Sequence, residues 1–368
     1  MTPPQLKKRF YLPELDGLRF FAFLLVFIHH HPLISKVPVL SNLHTYGWIG
    51  VDLFFCLSAF LFAKLLIAEY KKTDTIHLKR FYIRRFFRIW PVYFLFTAIA
   101  ISVFISTTDI TSNLGLRIFG LFTFTDNIFT AINSYNPIPF VPHLWTIAYE
   151  EQFYLIIPFL ILLLVKVPSK MRFICFFISM ILLNLIRTYF ILEEISHPAI
   201  WVLPITHFES IVFGIVLGFG GFIFLKKICS PEILSLVGVL FFCVICYLPN
   251  ITETTYWLNV TYPLVGLSTT FILFAVLESN SLQKFFSNKI LVFLGKRSYG
   301  LYLYHFIGNW VGWQLVNYFK IEDTSALIIS FTCSFFVTIV ISVVSYRFIE
   351  TPFLKLKKNF EVIASRPV

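Results

Sequence analysis

Ten apolar stretches, each close to the length of a membrane-spanning helix, follow one another along this chain of 368 residues. About 20 apolar residues suffice to cross the hydrocarbon core of a bilayer as a helix. The chain is 58% hydrophobic and only 13% charged, which is more apolar surface than a soluble domain of this length buries. The stretches lie near residues 17–33, 48–68, 89–107, 144–165, 171–191, 205–225, 233–249, 257–277, 298–318 and 325–348. The sequence therefore predicts an all-α fold, a polytopic integral membrane protein with about ten transmembrane helices.

The basic residues between these stretches are distributed unevenly. If the N-terminus is cytoplasmic, the outer loops contain only Lys36, Arg117 and Lys320, and the inner segments hold the clusters. Cytoplasmic loops carry an excess of Lys and Arg, so we predict that both termini are cytoplasmic. The formal net charge of +11 arises from segments that alternate with apolar spans and not from one continuous basic face. The predicted partner is therefore the lipid bilayer and not nucleic acid.

We predict one membrane-embedded domain over residues 1–355, followed by a short basic cytoplasmic tail over residues 356–368. The longest connection, from Thr108 to Pro142, lies on the predicted outer side, and connections of such length usually have a function. We expect it to pack as a lid or as a re-entrant segment over the outer face.

Arg19 and His30 share one face of the first apolar stretch. They lie eleven residues apart, a spacing that in an α-helix returns to within about 20° of the same direction and spans about 16 Å along the axis. Ionisable residues inside a membrane are costly and usually mark a functional site. In the alternative interpretation, Arg19 extends to the headgroups and His30 ends the helix before Pro32.

Four ionisable residues from three spans are predicted at one depth near the outer interface: His30, Asp52, Glu150 and Glu151. A carboxylate beside an imidazole holds its tautomer and raises its basicity, as general-base catalysis on a hydroxyl requires. We therefore predict that Asp52 or Glu150 orients His30. The alternative is a buried polar network that fixes the register of the helices.

Further residues are candidates for the acceptor side of such a site. His207 and Glu209 enter the sixth span at the depth of His30 and are predicted to line an acceptor pocket together with Glu151. His305 lies among aromatic residues of the ninth span, where a histidine is more often a hydrogen-bonded core residue than a ligand. It is kept as an acceptor-side candidate.

Two patterns suggest metal binding without meeting its geometry. Consecutive helical residues such as His29–His31 point about 100° apart, whereas zinc needs three or four converging ligands. Cys243 and Cys246 lie inside an apolar span with no second cysteine pair, which favours packing. No metal site is predicted.

A basic cluster opens the third span, where Arg84, Arg85 and Arg88 alternate with aromatic residues. Guanidinium groups at positions i and i+3 share a helix face and suit bidentate capture of phosphate. The cluster therefore predicts a site for the phosphates of a nucleotide-bearing cofactor, with Tyr299 and Glu350 as further candidates for this site. An interfacial helix that binds anionic lipid would show a similar pattern, and this alternative stays open.

Six motifs, in this order, resemble those of the acyltransferase-3 family of integral membrane acyltransferases, and the resemblance covers nearly the whole chain. They are LDGLRFFAFLLVFIHH, GVDLFFCLSAFLF, RRFFRIWP, HLWTIAYEEQFYL, GKRSYGLYLYH and YRFIETPF. The resemblance implies ten spans in a bacterial cytoplasmic (inner) membrane and the use of cytoplasmic acyl-CoA, most simply acetyl-CoA. It implies as acceptor a sugar hydroxyl of a surface polysaccharide or lipid-linked glycan, such as lipopolysaccharide O-antigen.

The resemblance also implies roles for individual residues. Essential positions of the family correspond to Arg19, His30, Arg85 and Arg88. Supporting positions correspond to Asp52, Glu150 and Glu350. Ala59 replaces the glycine of the family's LSGF motif, and Tyr149 places a phenol that could narrow the acceptor pocket. Many members carry a C-terminal SGNH domain. We expect that this chain has none and that it acts alone or passes acyl groups to a separate protein.

Together these features predict a mechanism. The phosphates of acyl-CoA bind Arg85 and Arg88, and the arm runs past Arg19 to bring the thioester near His30. His30 then deprotonates the acceptor hydroxyl or briefly carries the acyl group itself. A membrane transporter or flippase with a polar substrate path is the main alternative, and a structural or sensor protein is a third. The oligomeric state is left open.

Overall fold

The structure, a computed structural model, describes residues 11–106 and 112–363, and these residues contain helices and no β-strand. The predicted all-α class is confirmed. A helix lies at each of the ten predicted spans. In chain order they are α1 Pro13–His30, α2 Ile49–Thr73, α3 Leu78–Ile105, α4 Trp145–Leu164, α5 Ser169–Leu192, α6 Glu209–Gly218, α7 Pro231–Ile245, α8 Leu258–Glu278, α9 Ser298–Tyr318 and α10 Asp323–Ser345.

Six of these helices, among the residues that the structure describes, are long and apolar enough to cross a membrane: α2, α3, α4, α5, α8 and α10. Helices α6 and α7 are apolar but shorter. Helix α1 carries Glu14, Asp16 and Arg19, and α9 is rich in tyrosine, tryptophan and amide side chains, which lowers the hydropathy of both. The architecture is that of a polytopic membrane protein, and the number of ten spans stays a prediction.

Shorter helical segments connect the long helices or follow α10. They are Ile34–Lys36, Pro38–Tyr46, Ser112–Thr123, Asp126–Asn133, Pro142–Leu144, Ala199–Val202, Ile223–Lys227, Asn280–Phe286, Lys289–Lys296, the π-helical turn Tyr346–Glu350, Thr351–Lys357 and Lys358–Phe360. The predicted boundary between domain and tail at residue 355 falls inside Thr351–Lys357. That division stays a prediction, and residues 364–368 of the tail lie outside the described residues.

Helix α1 is packed among other helices. Pro13 begins it, because the fixed φ of proline suits the first turn of a helix, and Glu14 and Asp16 complement the partial positive charge of its N-terminus. The helix contacts α2, α9 and the two short helices before α9, and Phe23 and Phe27 are fully buried. Polar side chains on α1 therefore meet other parts of the protein.

Helices α9 and α10 pack closely through small residues. Gly308 and Gly312 of α9 face Thr338 and Ser334 of α10, and small residues allow helix backbones to approach each other in membranes. The pairing holds α9 in place, and α9 in turn carries His305, which contacts α1.

The long connection after α3 is folded against the helices. Its residues 107–111 lie outside the described residues, and its two short helices are joined by a buried ion pair between Arg117 and Asp126 at 3.1 Å. The hydroxyl of Tyr93 on α3 donates to the carbonyl of Leu121 at 2.9 Å. The predicted packing of this segment on the protein is confirmed, and its place on the outer side stays a prediction.

Candidate active site

A cavity of about 170 Å³ lies between α1, α2, α3, α4 and α9, and we call it the passage. It is lined chiefly by Asp16, Arg19, Val51, Ser58, Leu65, Arg85, Arg88, Thr146, Glu150, Tyr299, Tyr302 and Lys357. A cavity needs roughly 10–15 Å³ of this kind of volume to hold one water molecule. The passage therefore has room for part of a substrate. Its wall on α2 runs from Val51 to Leu65, a length of about 21 Å in a helix. The passage therefore runs lengthwise through the helix bundle.

One end of the passage is basic. Arg19, Arg85, Arg88 and Lys357 line it. Arg19 donates from Nη1 to Asp16 Oδ1 at 3.2 Å. The three guanidinium groups outnumber the carboxylate of Asp16, so this end carries an excess of positive charge. The structure thus brings Arg85 and Arg88 of α3, which the sequence predicts for the donor, together with Arg19 of α1.

Arg85 packs against aromatic rings at this end of the passage. Its Cζ lies 4.8 Å from the centroid of the Phe62 ring and 5.9 Å from that of Phe81. Its Nε is buried and has no hydrogen-bond partner within residues 11–106 and 112–363. Because a buried polar group without a partner is costly, this guanidinium is available to an anionic ligand. Tyr299, the other predicted donor-site residue here, lines the passage and donates its hydroxyl to the Ile89 carbonyl at 3.0 Å.

Glu150 lies midway along the passage. Its Oε1 accepts a hydrogen bond from Ser58 Oγ at 2.9 Å, and Ser58 is in the middle of the α2 wall. Tyr154, one helical turn further along α4, lines the same region. The carboxylate of Glu150 thus faces the passage, between its basic end and the opposite end, which we call the far end.

A hydrogen bond between two helices lies at the far end of the passage. Thr146 Oγ1 on α4 lies 2.6 Å from the hydroxyl of Tyr302 on α9. The ring of Tyr302 also contacts two imidazoles, with centroid distances of 5.1 Å to His143 and 5.5 Å to His305. The passage therefore ends one side chain away from a group of histidines.

We call His30, His143 and His305 the histidine cluster. His30 Nδ1 lies 3.0 Å from His305 Nε2, and the ring centroids of His143 and His305 are 4.7 Å apart. His143 and His305 are buried, and His30 is half-buried. Neither ring nitrogen of His143 has a hydrogen-bond partner among the described residues. In the same part of the chain, no three His, Cys, Asp or Glu side chains are arranged to hold a metal ion.

His143 is a residue that sequence reasoning missed. It begins the motif HLWTIAYEEQFYL and lies in the short helix just before α4. The depth argument that selects Glu150 and Glu151 applies to His143 as well, because it lies just before the start of the helix that carries those two carboxylates. The motif therefore contains a signal for His143 as well as for Tyr149 and the two carboxylates.

The sequence predicts that Asp52 or Glu150 is paired with His30, but the structure does not pair them. Within the described residues neither carboxylate forms a hydrogen bond with His30, whose ring partner is His305. Asp52 Oδ1 instead accepts a hydrogen bond from His207 Nε2 at 3.0 Å. Depth in the membrane orders residues in one dimension, and side chains at the same depth on different helices can face different neighbours.

Asp52 belongs to a second polar group, which we call the closed cluster. It consists of Asp52, Arg187, His207, Glu209 and Ser210, each at most 2% exposed. Both ring nitrogens of His207 are used, because Nδ1 contacts the Trp201 carbonyl at 3.0 Å and Nε2 contacts Asp52. Ser210 Oγ donates to Asp52 Oδ1 at 2.6 Å, and Arg187 forms an ion pair with Glu209. No member of this cluster lines the passage.

The predicted acceptor-side residues Tyr149, His207 and Glu209 all lie in or beside the closed cluster. The hydroxyl of Tyr149 donates to the His207 carbonyl, and its ring stacks on Phe55 with a centroid distance of 4.6 Å. None of the three lines the passage. Of the predicted acceptor-side residues, His305 has the most direct contact with His30.

Arg84 lies beside the basic end and does not line the passage. Its Nη2 donates to Glu69 Oε2 at 3.4 Å, and its Nη1 donates to the carbonyl of Phe360 at 2.8 Å. These bonds join α2, α3 and the segment after Thr351–Lys357. The placement separates Arg84 from Arg85 and Arg88, with which the sequence grouped it.

Glu151 and Glu350 also lie outside the lining of the passage. Glu151 Oε2 accepts a hydrogen bond from Trp90 Nε1 at 3.0 Å. Glu350 lies against α9 at Gly300, where a Cβ atom would be 3.2 Å from Glu350 Oε1. Their predicted roles in binding stay predictions.

Comparison with protein families matches residues 12–347 to the acyltransferase-3 model, which is described as an acyltransferase domain. The chain belongs to the acyltransferase-3 family. The matched range of this family contains every residue that lines the passage except Tyr11 and Lys357.

Two of the proteins to which this chain is similar come from Staphylococcus aureus. A protein of strain COL with the name "Putative O-acetyltransferase" is 33% identical over 371 residues, which cover 95% of this chain and 58% of the relative. The O-acetyltransferase OatA of strain NCTC 8325 is 32% identical over 373 residues, which cover 97% of this chain and 59% of OatA. The chain thus spans less than two thirds of the length of these relatives. No solved structure matches it.

Proposed function

We propose that this chain is a membrane O-acyltransferase that moves an acyl group, most simply acetyl, from acyl-CoA to a hydroxyl of a surface polysaccharide or lipid-linked sugar, for example lipopolysaccharide O-antigen. The observation that carries the proposal is the passage, which is basic at one end and ends beside the histidine cluster at the other. Membership of the acyltransferase-3 family and the names of the relatives support this chemistry.

The basic end suits the phosphates of the donor. Acyl-CoA carries its phosphates at one end of a flexible arm and its thioester at the other. Arg85 and Arg88 would bind the phosphates, since guanidinium groups form bidentate hydrogen bonds with phosphate oxygens. The arm would then run past Arg19 along the roughly 21 Å wall of α2, and the thioester would reach Thr146 and Tyr302 at the far end.

The histidine cluster suits the acceptor hydroxyl. In the proposed step the hydroxyl oxygen attacks the thioester carbonyl, the new C–O bond forms, and the C–S bond breaks. His30 takes the hydroxyl proton as general base and passes it to the departing CoA thiolate. Because Tyr302 is hydrogen-bonded to Thr146 and its ring contacts His305, the partner of His30, we expect Thr146 and Tyr302 to move apart when both substrates are bound.

For the membrane, we propose the bacterial cytoplasmic membrane, with both termini and the basic end of the passage on the cytoplasmic side. The distribution of Lys and Arg supports this orientation. A reporter domain that folds only in the cytoplasm, fused to the C-terminus, should be active in cells. An inactive reporter on a membrane-inserted, full-length fusion would contradict the orientation.

The activity can be tested with purified protein in liposomes, acetyl-CoA, and polysaccharide extracted from cells that lack the gene. We expect CoA release that depends on the polysaccharide, because a transporter or flippase has no reason to cleave a thioester.

Arg88→Gln, in the passage, should raise the KM for acetyl-CoA about tenfold, as expected for loss of a charged hydrogen bond. Arg80→Gln, an equal change of charge on the exposed side of α3, is the control and should leave KM unchanged. If CoA release did not depend on the polysaccharide, the proposal would be refuted.

The acceptor can be identified by mass spectrometry of surface glycans from cells with the wild-type protein and with His30→Gln. We expect O-acetyl groups on one glycan class in the wild type and their loss in the variant. Identical acetylation of every surface glycan in the two strains would contradict a glycan acceptor.

A further inference from the structure

His305 is held by a carbonyl oxygen that determines its tautomer. It is fully buried on α9, and its Nδ1 is hydrogen-bonded to the backbone carbonyl of Tyr302, three residues earlier in the same helix. A carbonyl oxygen only accepts hydrogen bonds, so Nδ1 of His305 must carry the proton. In a neutral imidazole the other nitrogen, Nε2, is then an acceptor.

The tautomer of His30 follows from that of His305. His305 Nε2 lies 3.0 Å from His30 Nδ1, and an acceptor on His305 requires a donor on His30. His30 therefore carries its proton on Nδ1, and its Nε2 keeps a free lone pair. The hydrogen bond of the His30 ring to His305 uses Nδ1, and the residue is half-buried, which leaves Nε2 for a substrate.

The same face of α9 also fixes the position of the His30 ring. Asn309 Nδ2 donates to the backbone carbonyl of His30 at 3.1 Å, and the ring of Phe306 lies 4.8 Å from the imidazole centroid. His305, Phe306 and Asn309 occupy consecutive turns of one helix. α9 therefore sets the backbone, the ring plane and the protonated nitrogen of His30 together.

We propose that His305 is a positioning residue that sets the tautomer of His30 and thereby makes His30 Nε2 the base for the acceptor hydroxyl, an inference that rests on the proposed O-acyltransferase function. A second imidazole, fixed by the Tyr302 carbonyl, takes the place that a carboxylate holds in many catalytic histidine pairs. When His30 gains a proton on Nε2, its Nδ1–H continues to donate to His305 Nε2, so the imidazolium keeps its partner. No proton needs to pass to His305.

Kinetics of two variants test the positioning role. His305→Phe keeps an aromatic ring but removes the acceptor, and we expect kcat for acetyl transfer to fall roughly 10²-fold or more with the KM for acetyl-CoA within about twofold. His305→Gln offers an amide oxygen to His30 Nδ1 and should retain a kcat at least tenfold above that of the Phe variant. His31→Gln is the matched control, since His31 is a buried neighbour whose Nε2 faces Ser330 on α10, and its kcat should equal that of the wild type. A His305→Phe protein with wild-type kcat would overturn the inference.

A second measurement is independent of activity. In ¹⁵N-histidine-labelled protein in lipid, the NMR signals of His30, assigned by their loss in His30→Gln, should show a proton on Nδ1 in the wild type. In His305→Phe this preference should be lost. A wild-type His30 with its proton on Nε2 would overturn the inference and leave the proposed function standing. Acetyl transfer that fails with every polysaccharide, alongside the expected NMR result, would instead overturn the proposed function and with it the catalytic role of the pair.

Discussion

The histidine cluster and the closed cluster are both buried groups of ionisable side chains, but they use their imidazoles differently. In the closed cluster both ring nitrogens of His207 have protein partners. In the histidine cluster neither ring nitrogen of His143 has a hydrogen bond of good geometry among the described residues, and His30 is bonded to His305 through Nδ1. The histidine cluster contacts the lining residue Tyr302 through two imidazoles, whereas the closed cluster contacts the lining residue Phe55 through the His207 ring, at a centroid distance of 6.4 Å.

The difference separates a stabilising network from a candidate catalytic site made of similar residue types. An imidazole whose two nitrogens are both bonded contributes to the fold and has nothing left to offer a substrate. An imidazole with a free nitrogen next to a cavity can take a proton from a substrate. We therefore expect substitutions in the histidine cluster to lower the rate and substitutions in the closed cluster to lower the stability.

The largest effect should come from His30→Gln. Loss of the general base is expected to lower kcat for acetyl transfer by roughly 10²–10⁴-fold, while the melting temperature of the purified protein in detergent changes little. The measurement is acceptor-dependent CoA release. A variant that keeps more than a tenth of the wild-type kcat would show that His30 is not the base.

Glu209→Gln should produce the largest loss of stability. It leaves the guanidinium of Arg187 buried without its counter-charge, and breaking a buried ion pair costs roughly 3–5 kcal/mol. We expect a clearly lower melting temperature and a lower yield of folded protein, with kcat of the folded fraction unchanged. Glu193→Gln, at an exposed position after α5, is the control and should match the wild type.

Asp52→Asn should have a smaller effect and is the sharpest test of the comparison. The amide weakens the hydrogen bonds from His207 and Ser210, at an expected cost of about 1–3 kcal/mol in the free energy of unfolding. We expect kcat within about threefold of the wild type, since a structural carboxylate adds nothing to proton transfer. If kcat instead fell as far as in His30→Gln at unchanged stability, the closed cluster would be part of the catalytic site.

The smallest effect is expected for Arg84→Gln, which extends the comparison to the basic end. Arg84 bonds to Glu69 and the Phe360 carbonyl and does not line the passage. We expect a loss of about 1 kcal/mol of stability and an unchanged KM for acetyl-CoA. A rise in KM equal to that of Arg88→Gln would place Arg84 on the donor as well.

The sequence was sufficient for features that depend on local pattern. Apolar stretches predicted a helix at each of ten positions, because burial of apolar side chains in a bilayer is read directly from a window of residues. The basic motif at the start of α3 and Arg19 in α1 predicted a donor site, and Arg19, Arg85 and Arg88 do line one cavity. Arg84, in the same motif, faces elsewhere, because neighbouring positions on a helix point in different directions.

What the sequence by itself determined is which residues are ionisable, on which helix they lie and at roughly what depth, including the stripe that joins Arg19 to His30. Only the tertiary structure decided which of them meet, because the rotation of each helix about its axis and its choice of neighbours depend on packing between distant segments. Packing between helices pairs Asp52 with His207 and places Glu150 in the lining of the passage. It gave His30 a second imidazole, His305, as its partner.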